Sequence, residues 1–536
     1  MTKKLAIIGG GSAGWMAAAY LHSVLNARGQ QRNVSIELVE SPDIPRISVG
    51  EATVPSIRHL LSVIGIDEIE FMRATDASFK QSIKYVNWVH NNNTFYHHPF
   101  TRMRVQPIDF AGINWLKSDR SIPFMDTCST QPLICEWGLS PKVTKPGSNT
   151  PLSYAYHMNA QKFADYLRDI TVARGVTHTR ANIGEVKTAA NGHIQSVDLD
   201  NGQSVQADLY IDCTGFKALL MEKALNEPFE SLAQYLLCDR AVTMHVPYDS
   251  HYPGMVRPYT TATAMSNGWI WDIPMANQRS VGYVHASQFI SKEAAERELR
   301  AYQGPDTDNL SPRFVDFKVG HRKRHWVNNC IAIGLSGGFI EPLESTGLFL
   351  ADTGAVLLAE HFPHSAQDMA VLADRYNRLM SNRYYEILDF INMHYCLTQR
   401  TDTTFWQAVQ QPEHINPRLQ AKLEYWKQKP PSPSDFEDQM LPGMENAASF
   451  NGRVITDTAS LWNHESYECI LYGMHFAAEH YRQKFGNTGK PVSMNQEILF
   501  RLKAARQGLP PHAIWLEQMT GKAAYPTAYK PHGWVA

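Results

Sequence analysis

No apolar run in the sequence approaches the roughly 18 residues a membrane-spanning helix needs. The opening MTKKLAIIGGG also reaches glycine too soon for a signal peptide, so a cytoplasmic protein with no membrane partner is expected. An excess of either charge is missing too: 50 Lys+Arg against 52 Asp+Glu leave a formal net charge of −2, without the electrostatic footprint of a nucleic-acid binder. The one basic run, Lys318 with His321-Arg322-Lys323-Arg324-His325, leads into the strand-like CIAIGL and reads as a solvated strand edge. Cysteines number seven, an odd count with no CxxC, which argues against a disulfide framework and for reduced thiols. No metal site is expected. Repeats and low complexity are absent apart from the proline-rich QKPPSPSD at 428–435, expected to be a linker or surface loop. What remains is an ordinary globular composition, 43% apolar and 19% charged, over 536 residues. That length exceeds one hydrophobic core and predicts at least two lobes.

The clearest positive signal stands at the N-terminus. Leu5–Ile8 reads as a strand, followed by GGGSAGW and the helical MAAAYLHSVL, so Gly9, Gly11 and Gly14 fit G-x-G-x-x-G between strand and helix, with Ser12 and Ala13 inside the turn. The first glycine permits the turn, the second lets backbone approach a pyrophosphate, and the third lets helix pack on strand. The new helix presents its amides and partial positive charge to the phosphates. A second strand, VSIELVE, ends at Glu40, whose carboxylate can accept from a ribose hydroxyl. Far downstream, ADLYIDCTGF reads as a strand ending in Thr214-Gly215, as in two-dinucleotide-type flavoproteins, which favours FAD over NAD. There is no second G-x-G-x-x-G for a separately bound nicotinamide, so the electron donor is expected to be external.

A second signal is GWIWDIP, Gly268 to Pro274. On a strand, Trp269, Trp271 and Ile273 share one face while Ile270 and Asp272 point the other way. Core packing alone would account for an isolated WxW. Here it comes in order after VGEATVPSI and ASFKQSIKYVNW and before IAIGLSGGFIEPLESTGLFLADTG. This ordered set resembles the flavin-dependent halogenases of the tryptophan-halogenase type, from the first strand to about Trp406.

The resemblance implies an enzyme that uses FADH2, oxygen and chloride or bromide to make hypohalous acid. The acid passes through a tunnel to a lysine that presents electrophilic halogen to an electron-rich aromatic. Lys80 matches that lysine, and an ammonium can donate to the oxygen of the acid, while a neutral amine could itself be halogenated. The competing reading is a surface lysine, since Lys80 and Lys84 would share one face of an amphipathic helix. Glu344 matches the second catalytic residue, which stabilises the cationic ring intermediate and takes its proton. A carboxylate there would also suit a helix start after Ser345-Thr346-Gly347, through capping and the dipole. The backbone amides of Thr346 and Gly347 match the halide contacts, Trp269 and Trp271 the wall between flavin and substrate, and His98 and Phe100 the residues flanking the substrate ring. Ser345 is grouped with these substrate and tunnel residues. A separate NAD(P)H-dependent reductase supplying diffusible FADH2 is the implied partner.

Two other functions are compatible with a flavin site. Flavin-dependent hydroxylases share a GDAAH-like segment, where this chain has Leu335-Ser336. A non-catalytic flavin-binding protein would not need Lys80, Glu344 and the halide segment together. Enzymes acting on free tryptophan clamp its backbone with a tyrosine pair, a glutamate and a Phe-Trp pair. Residues 444–474 show no such arrangement: Trp462, Glu465 and Tyr467 occur at other spacings, and the RYYE at 383–386 falls too early. Free tryptophan is therefore expected to be a poorer substrate than simple or larger indoles. The expected architecture is an α/β FAD-binding module of the two-dinucleotide type over 1–365, with 80–137 contributing to the substrate face, and a mainly helical substrate-capping lobe over 366–536.

Overall fold

The computed structural model describes residues 3–27, 33–44, 49–101, 111–145, 152–248, 256–304, 307–432, 435, 449–450, 453–454, 461–492 and 494–522. Packing divides the chain into two compact units, each assembled from three stretches of sequence. Residues 1–75, 158–232 and 317–385 form the first; 76–157, 233–316 and 386–536 form the second. The chain thus alternates between units, where a division near residue 365 follows only its linear order.

The first unit is built on a six-stranded sheet: Trp326–Val327, Cys330–Ala332, Leu209–Asp212, Lys4–Ile8, Ser35–Glu40 and Thr177–Arg180, in that order. All neighbours run parallel except the edge strand Trp326–Val327. A central parallel strand is covered on both faces, which is why Leu5–Ile8 is an uninterrupted apolar run, wholly buried. Helix Ser12–Leu25 packs against Ala160–Ala173 and Gly347–Glu360, and Gly14–Leu21 lie buried along it. An antiparallel meander of Ile183–Thr188, Ile194–Leu199 and Ser204–Val205 adds a second apolar cluster.

The basic run is solvated only in part: Lys318, Lys323 and Arg324 are exposed. Gly320–Arg322 is the central strand of a small sheet between Phe229–Ser231 and Gly338–Phe339, and His321, Arg322 and His325 are buried. Arg322 donates to the Glu222 carboxylate and to the carbonyls of Glu227 and Ser336, while Arg324 forks onto the buried Glu227 carboxylate. Glu222 and Glu227 lie about a hundred residues upstream, beyond the reach of local pattern.

In the second unit a seven-stranded sheet runs Arg313–Asp316, Arg240–Pro247, Gln278–His285, Gly268–Pro274, Thr260–Ala264, Ser82–Val86, Phe95–Pro99. It is antiparallel except between Thr260–Ala264 and Ser82–Val86. Helix Lys292–Gln303 covers one face over a cluster that includes Val242, Ile270, Val281 and Leu299. The short strand Ser78–Lys80 pairs antiparallel with Ala155–Asn159. Lys80 and Lys84 therefore lie on two different strands, and the shared helix face does not exist; Gln81 breaks the run by sending its N–H to the Pro258 carbonyl. From residue 366 on, helices dominate the described residues, as expected. In the proline-rich segment after helix Pro417–Gln428, Lys429 Nζ lies 2.8 Å from the Asp435 carboxylate. All seven cysteines are free thiols, and no described helix is long and apolar enough to cross a membrane.

Candidate active site

The turn after Lys4–Ile8 is tight enough to demand glycine. Gly9 has φ +117°, and a Cβ there would lie 2.2 Å from the Cys213 carbonyl oxygen. A Cβ at Gly14 would meet the Gly9 carbonyl oxygen at 2.0 Å, so the helix closes on the strand only because neither residue carries a side chain. Beyond them the space opens: nothing lies within 4 Å of a Cβ added at Gly11 or Gly215. Helix Ser12–Leu25 starts at Gly11 with no side-chain cap and no acid in its first turn, leaving its amides oriented for an anion. These features fit the phosphates of a dinucleotide. Ser12 turns its hydroxyl to the Ala160 carbonyl, and Ala13 lies under the Gly334 turn, where an added Cβ would be 2.7 Å away.

Glu40 ends its strand 3.1 Å from His178 Nε2, and the His178 ring stands edge-on to Trp15 at 5.0 Å. Burial lowers the His178 pKa more than the neighbouring Glu40 raises it. His178 is a neighbour that the linear motif did not reveal. Asp212 organises the other strand end: its buried carboxylate accepts the amides of Thr214, Leu220 and Met221 at 2.9 Å and the Thr214 hydroxyl at 2.7 Å. Gly215 follows with φ +69°. Ser336, at the position that distinguishes the chain from hydroxylases, donates to the Asp212 carbonyl and locks this turn.

Glu344 closes the 3-10 turn Pro342–Glu344 and is only 3% exposed, with a second buried acid, Glu341, three residues before it. Ser345 takes the left-handed conformation, φ +62°, and Thr346 precedes helix Gly347–Glu360 without a side-chain cap. Glu344 thus lies two residues before the N-cap position, which Thr346 occupies. The Thr346 hydroxyl is buried without a hydrogen-bond partner, and space is open beyond Gly347. A polar atom left unsatisfied at an uncapped helix start fits a small anion.

On the same helix, burial pushes the Asp352 carboxyl up to about 7, the Ser56 hydroxyl working against it. The folded pKa lies above the unfolded value, so the folded protein keeps a proton that the unfolded chain loses above about pH 4. Stability contributed by this group falls as pH rises through that window and levels off above 7. Between pH 5 and pH 8 wild type is expected to lose about 3 kcal/mol relative to Asp352→Asn, measured by urea unfolding at both values.

In the second unit Lys80 is fully buried, with Nζ 5.1 Å from the centroid of the Phe100 ring. His98 lies on strand Phe95–Pro99, 7% exposed, its ring 5.6 Å from that of Phe390. The two tryptophans stand side by side as their alternation requires, ring centroids 6.3 Å apart. Small residues across the sheet make room for them: Ala262 and Gly282 face Trp271, and Ala264 faces Trp269. A Cβ at Gly282 would be 2.1 Å from the Trp271 ring.

The reverse face carries Asp272, clasped by Arg279 Nε at 2.9 Å and by Arg257 Nη2 at 2.5 Å. Burial would raise the Asp272 pKa, but the two guanidiniums outweigh it and hold the carboxyl well below the usual carboxylate range.

The family model of the tryptophan halogenases matches residues 4–489. This chain belongs to that family. It is 34% identical over 491 residues to the tryptophan 7-halogenase RebH of Lentzea aerocolonigenes, covering 88% of this chain and 89% of that one. A crystal structure of tryptophan halogenase from Shewanella frigidimarina superposes with a TM-score of 0.85 at 32% identity, over 98% of both chains. The flavin-dependent halogenase BrvH from Brevundimonas sp. superposes at 0.79 with 28% identity, over 97% and 99%. The protein is thus a flavin-dependent halogenase.

The halogenase also brings together aromatic residues that sequence spacing did not connect. Phe390, from the long helix Met369–Cys396, stacks on Trp462 at 4.2 Å and meets Tyr467 edge-on at 4.9 Å. Trp462 and Tyr467 were visible in the sequence; their partner Phe390 lies 72 positions before Trp462 and only folding joins them. Of residues 444–474, where an amino-acid clamp would fall, 444–448, 451–452 and 455–460 lie outside the described residues.

Proposed function

We propose that this halogenase uses FADH2, oxygen and chloride or bromide to generate hypohalous acid, which Lys80 directs onto an electron-rich ring, most simply an indole. The observation that carries the reading is a fully buried lysine beside an aromatic ring, Nζ 5.1 Å from Phe100. A side chain with three donors and little water can hold the oxygen of the acid and polarise the halogen toward a ring. His98 and Phe100 flank that ring, and Trp269 and Trp271 wall it from the cofactor.

In the cofactor module, Gly9, Gly11, Ser12, Ala13, Gly14, Glu40 and Gly215 would hold FAD, which supplies reducing equivalents for oxygen when bound. Thr346 and Gly347 offer their amides to halide, and Ser345 belongs to the substrate and tunnel residues. Glu344 stabilises the ring cation and accepts its proton. A separate reductase provides FADH2. Burial of Glu344 and the open, uncapped start of Gly347–Glu360 support these assignments.

The relatives named above as tryptophan halogenases act on tryptophan. For this chain kcat/KM is expected to be higher for indole than for free tryptophan, because several charge-assisted hydrogen bonds, about 1.5–3 kcal/mol each, lack recognised partners. The test supplies FADH2, oxygen and bromide with each substrate and follows product mass. A bromide-dependent substitution of hydrogen by bromine supports halogenation. Addition of one oxygen regardless of halide indicates a hydroxylase, and no product a binding protein. A tryptophan kcat/KM above that of indole would refute the substrate preference.

A further inference from the structure

Two buried histidines that the proposed chemistry does not use grip the three-residue strand carrying Lys80. His512, on helix His512–Thr520, is fully buried. Its Nδ1 lies 2.8 Å from the Val256 carbonyl oxygen, an acceptor only, so Nδ1 carries the proton. Nε2 must then accept, and it does so from the Phe79 backbone amide at 3.0 Å. The His512 ring also stacks on Phe79 at 5.7 Å, and Trp515 packs on the same Phe79 ring at 4.6 Å. Burial, opposed by the Val256 hydrogen bond, lowers the His512 pKa to about 4, which keeps the accepting nitrogen free of a proton at neutral pH.

The second imidazole works from the opposite strand. His157 pairs with Ser78 in the ladder, on the strand face that also holds Lys80. Ser78 donates its hydroxyl to the Pro274 carbonyl, at the end of the tryptophan strand, so its oxygen accepts from His157 Nδ1 at 3.2 Å. His157 Nε2 in turn accepts from the Thr260 hydroxyl at 2.8 Å. Burial, then the Lys80 charge and His512, hold His157 well below the usual imidazole range.

We infer that His512 and His157 are positioning residues for Lys80: one fixes the backbone of Phe79, the other ties Ser78 to Pro274 and Thr260, so the ammonium is held in register with the tryptophan strand. The inference rests on the assignment of Lys80 above. A strand of three residues has little stiffness of its own. Without these two partners it would carry a buried, unsatisfied amide, and the backbone that sets the position of Lys80 would be less firmly held. Misplacing a reacting group by about 1 Å costs about 10²-fold in rate.

The test compares the full chain with His512→Ala, His512→Gln, Thr260→Val and Lys80→Ala. It measures brominated indole together with hypobromite caught by a soluble scavenger. His512→Ala is expected to lower kcat for indole bromination about 10²-fold with KM unchanged, while trapped hypobromite rises in proportion. Glutamine at 512 can accept from Phe79 and donate to Val256, and is expected to restore most of the coupling. Thr260→Val, which removes only the donor to His157, shifts product toward hypobromite in the same direction and does not depend on His512→Ala folding.

A wild-type ratio of brominated indole to hypobromite in both His512→Ala and Thr260→Val overturns the clamp. So does a folded His512→Gln that fails to recover. If Lys80→Ala itself brominates indole normally, the lysine assignment falls instead, and the two failures are distinguishable.

Discussion

Replacement of Lys80 by alanine is expected to reduce specific aryl halogenation by about 10²–10⁴-fold, the range typical for loss of a positioned proton donor. Lys80 is fully buried, so its removal leaves a space beside Phe100 with no ammonium to capture the acid. Oxidation of halide is assigned to residues of the other unit, so consumption of FADH2 and release of hypohalite should continue. Arginine is not a substitute: its planar fork delivers charge in another geometry, it cannot shed a proton to become a haloamine, and it needs more room than a strand of buried residues leaves. Methionine at the same position isolates charge from volume. If Lys80→Met preserved regiospecific halogenation of indole at the wild-type rate, the lysine would have no chemical role.

The largest expected effect on stability lies on the reverse face of the tryptophan strand. Asp272→Ala is expected to destabilise the protein by about 3–5 kcal/mol, because removing one member of a buried ionic cluster leaves its partners charged and unanswered. Here two guanidiniums, Arg257 and Arg279, converge on one carboxylate that is 1% exposed. The effect also has a defined pH course. The folded pKa of Asp272 is depressed, so its contribution is full above the unfolded value and is lost as pH falls. Wild type should therefore lose stability more steeply on acidification than Asp272→Asn. Equal urea midpoints for wild type and Asp272→Ala at pH 7 would show that the arginines find other partners.

Period-two alternation and glycine spacing were enough to read the parts of the fold that are local. Trp269 and Trp271 share a face because a strand permits nothing else, and Gly9 and Gly14 sit where backbone meets backbone. What the linear text could not supply is long-range pairing. Lys80 and Lys84 fit a helix face equally well until Ala155–Asn159, some 75 residues on, claims Ser78–Lys80 as a strand. That Arg322 is withdrawn from solvent within the run at 321–325 is not legible locally, because Glu222 and Glu227, which pair with Arg322 and Arg324, are about a hundred residues away. The aromatic site was legible only in part for the same reason: Phe390 and Trp462 meet through tertiary packing.

The interleaving of the two units bears on how the chain is made. The cofactor module requires residues 317–385, so a ribosome must deliver more than two thirds of the polypeptide before that module can close. Until then its parallel strands wait with open edges, the circumstance in which slow, non-local topologies recruit chaperones. A fragment ending at residue 365 would cut through the last stretch of that unit, losing 366–385, and strip the other of everything after 316, so neither half is separable for expression by a single cut.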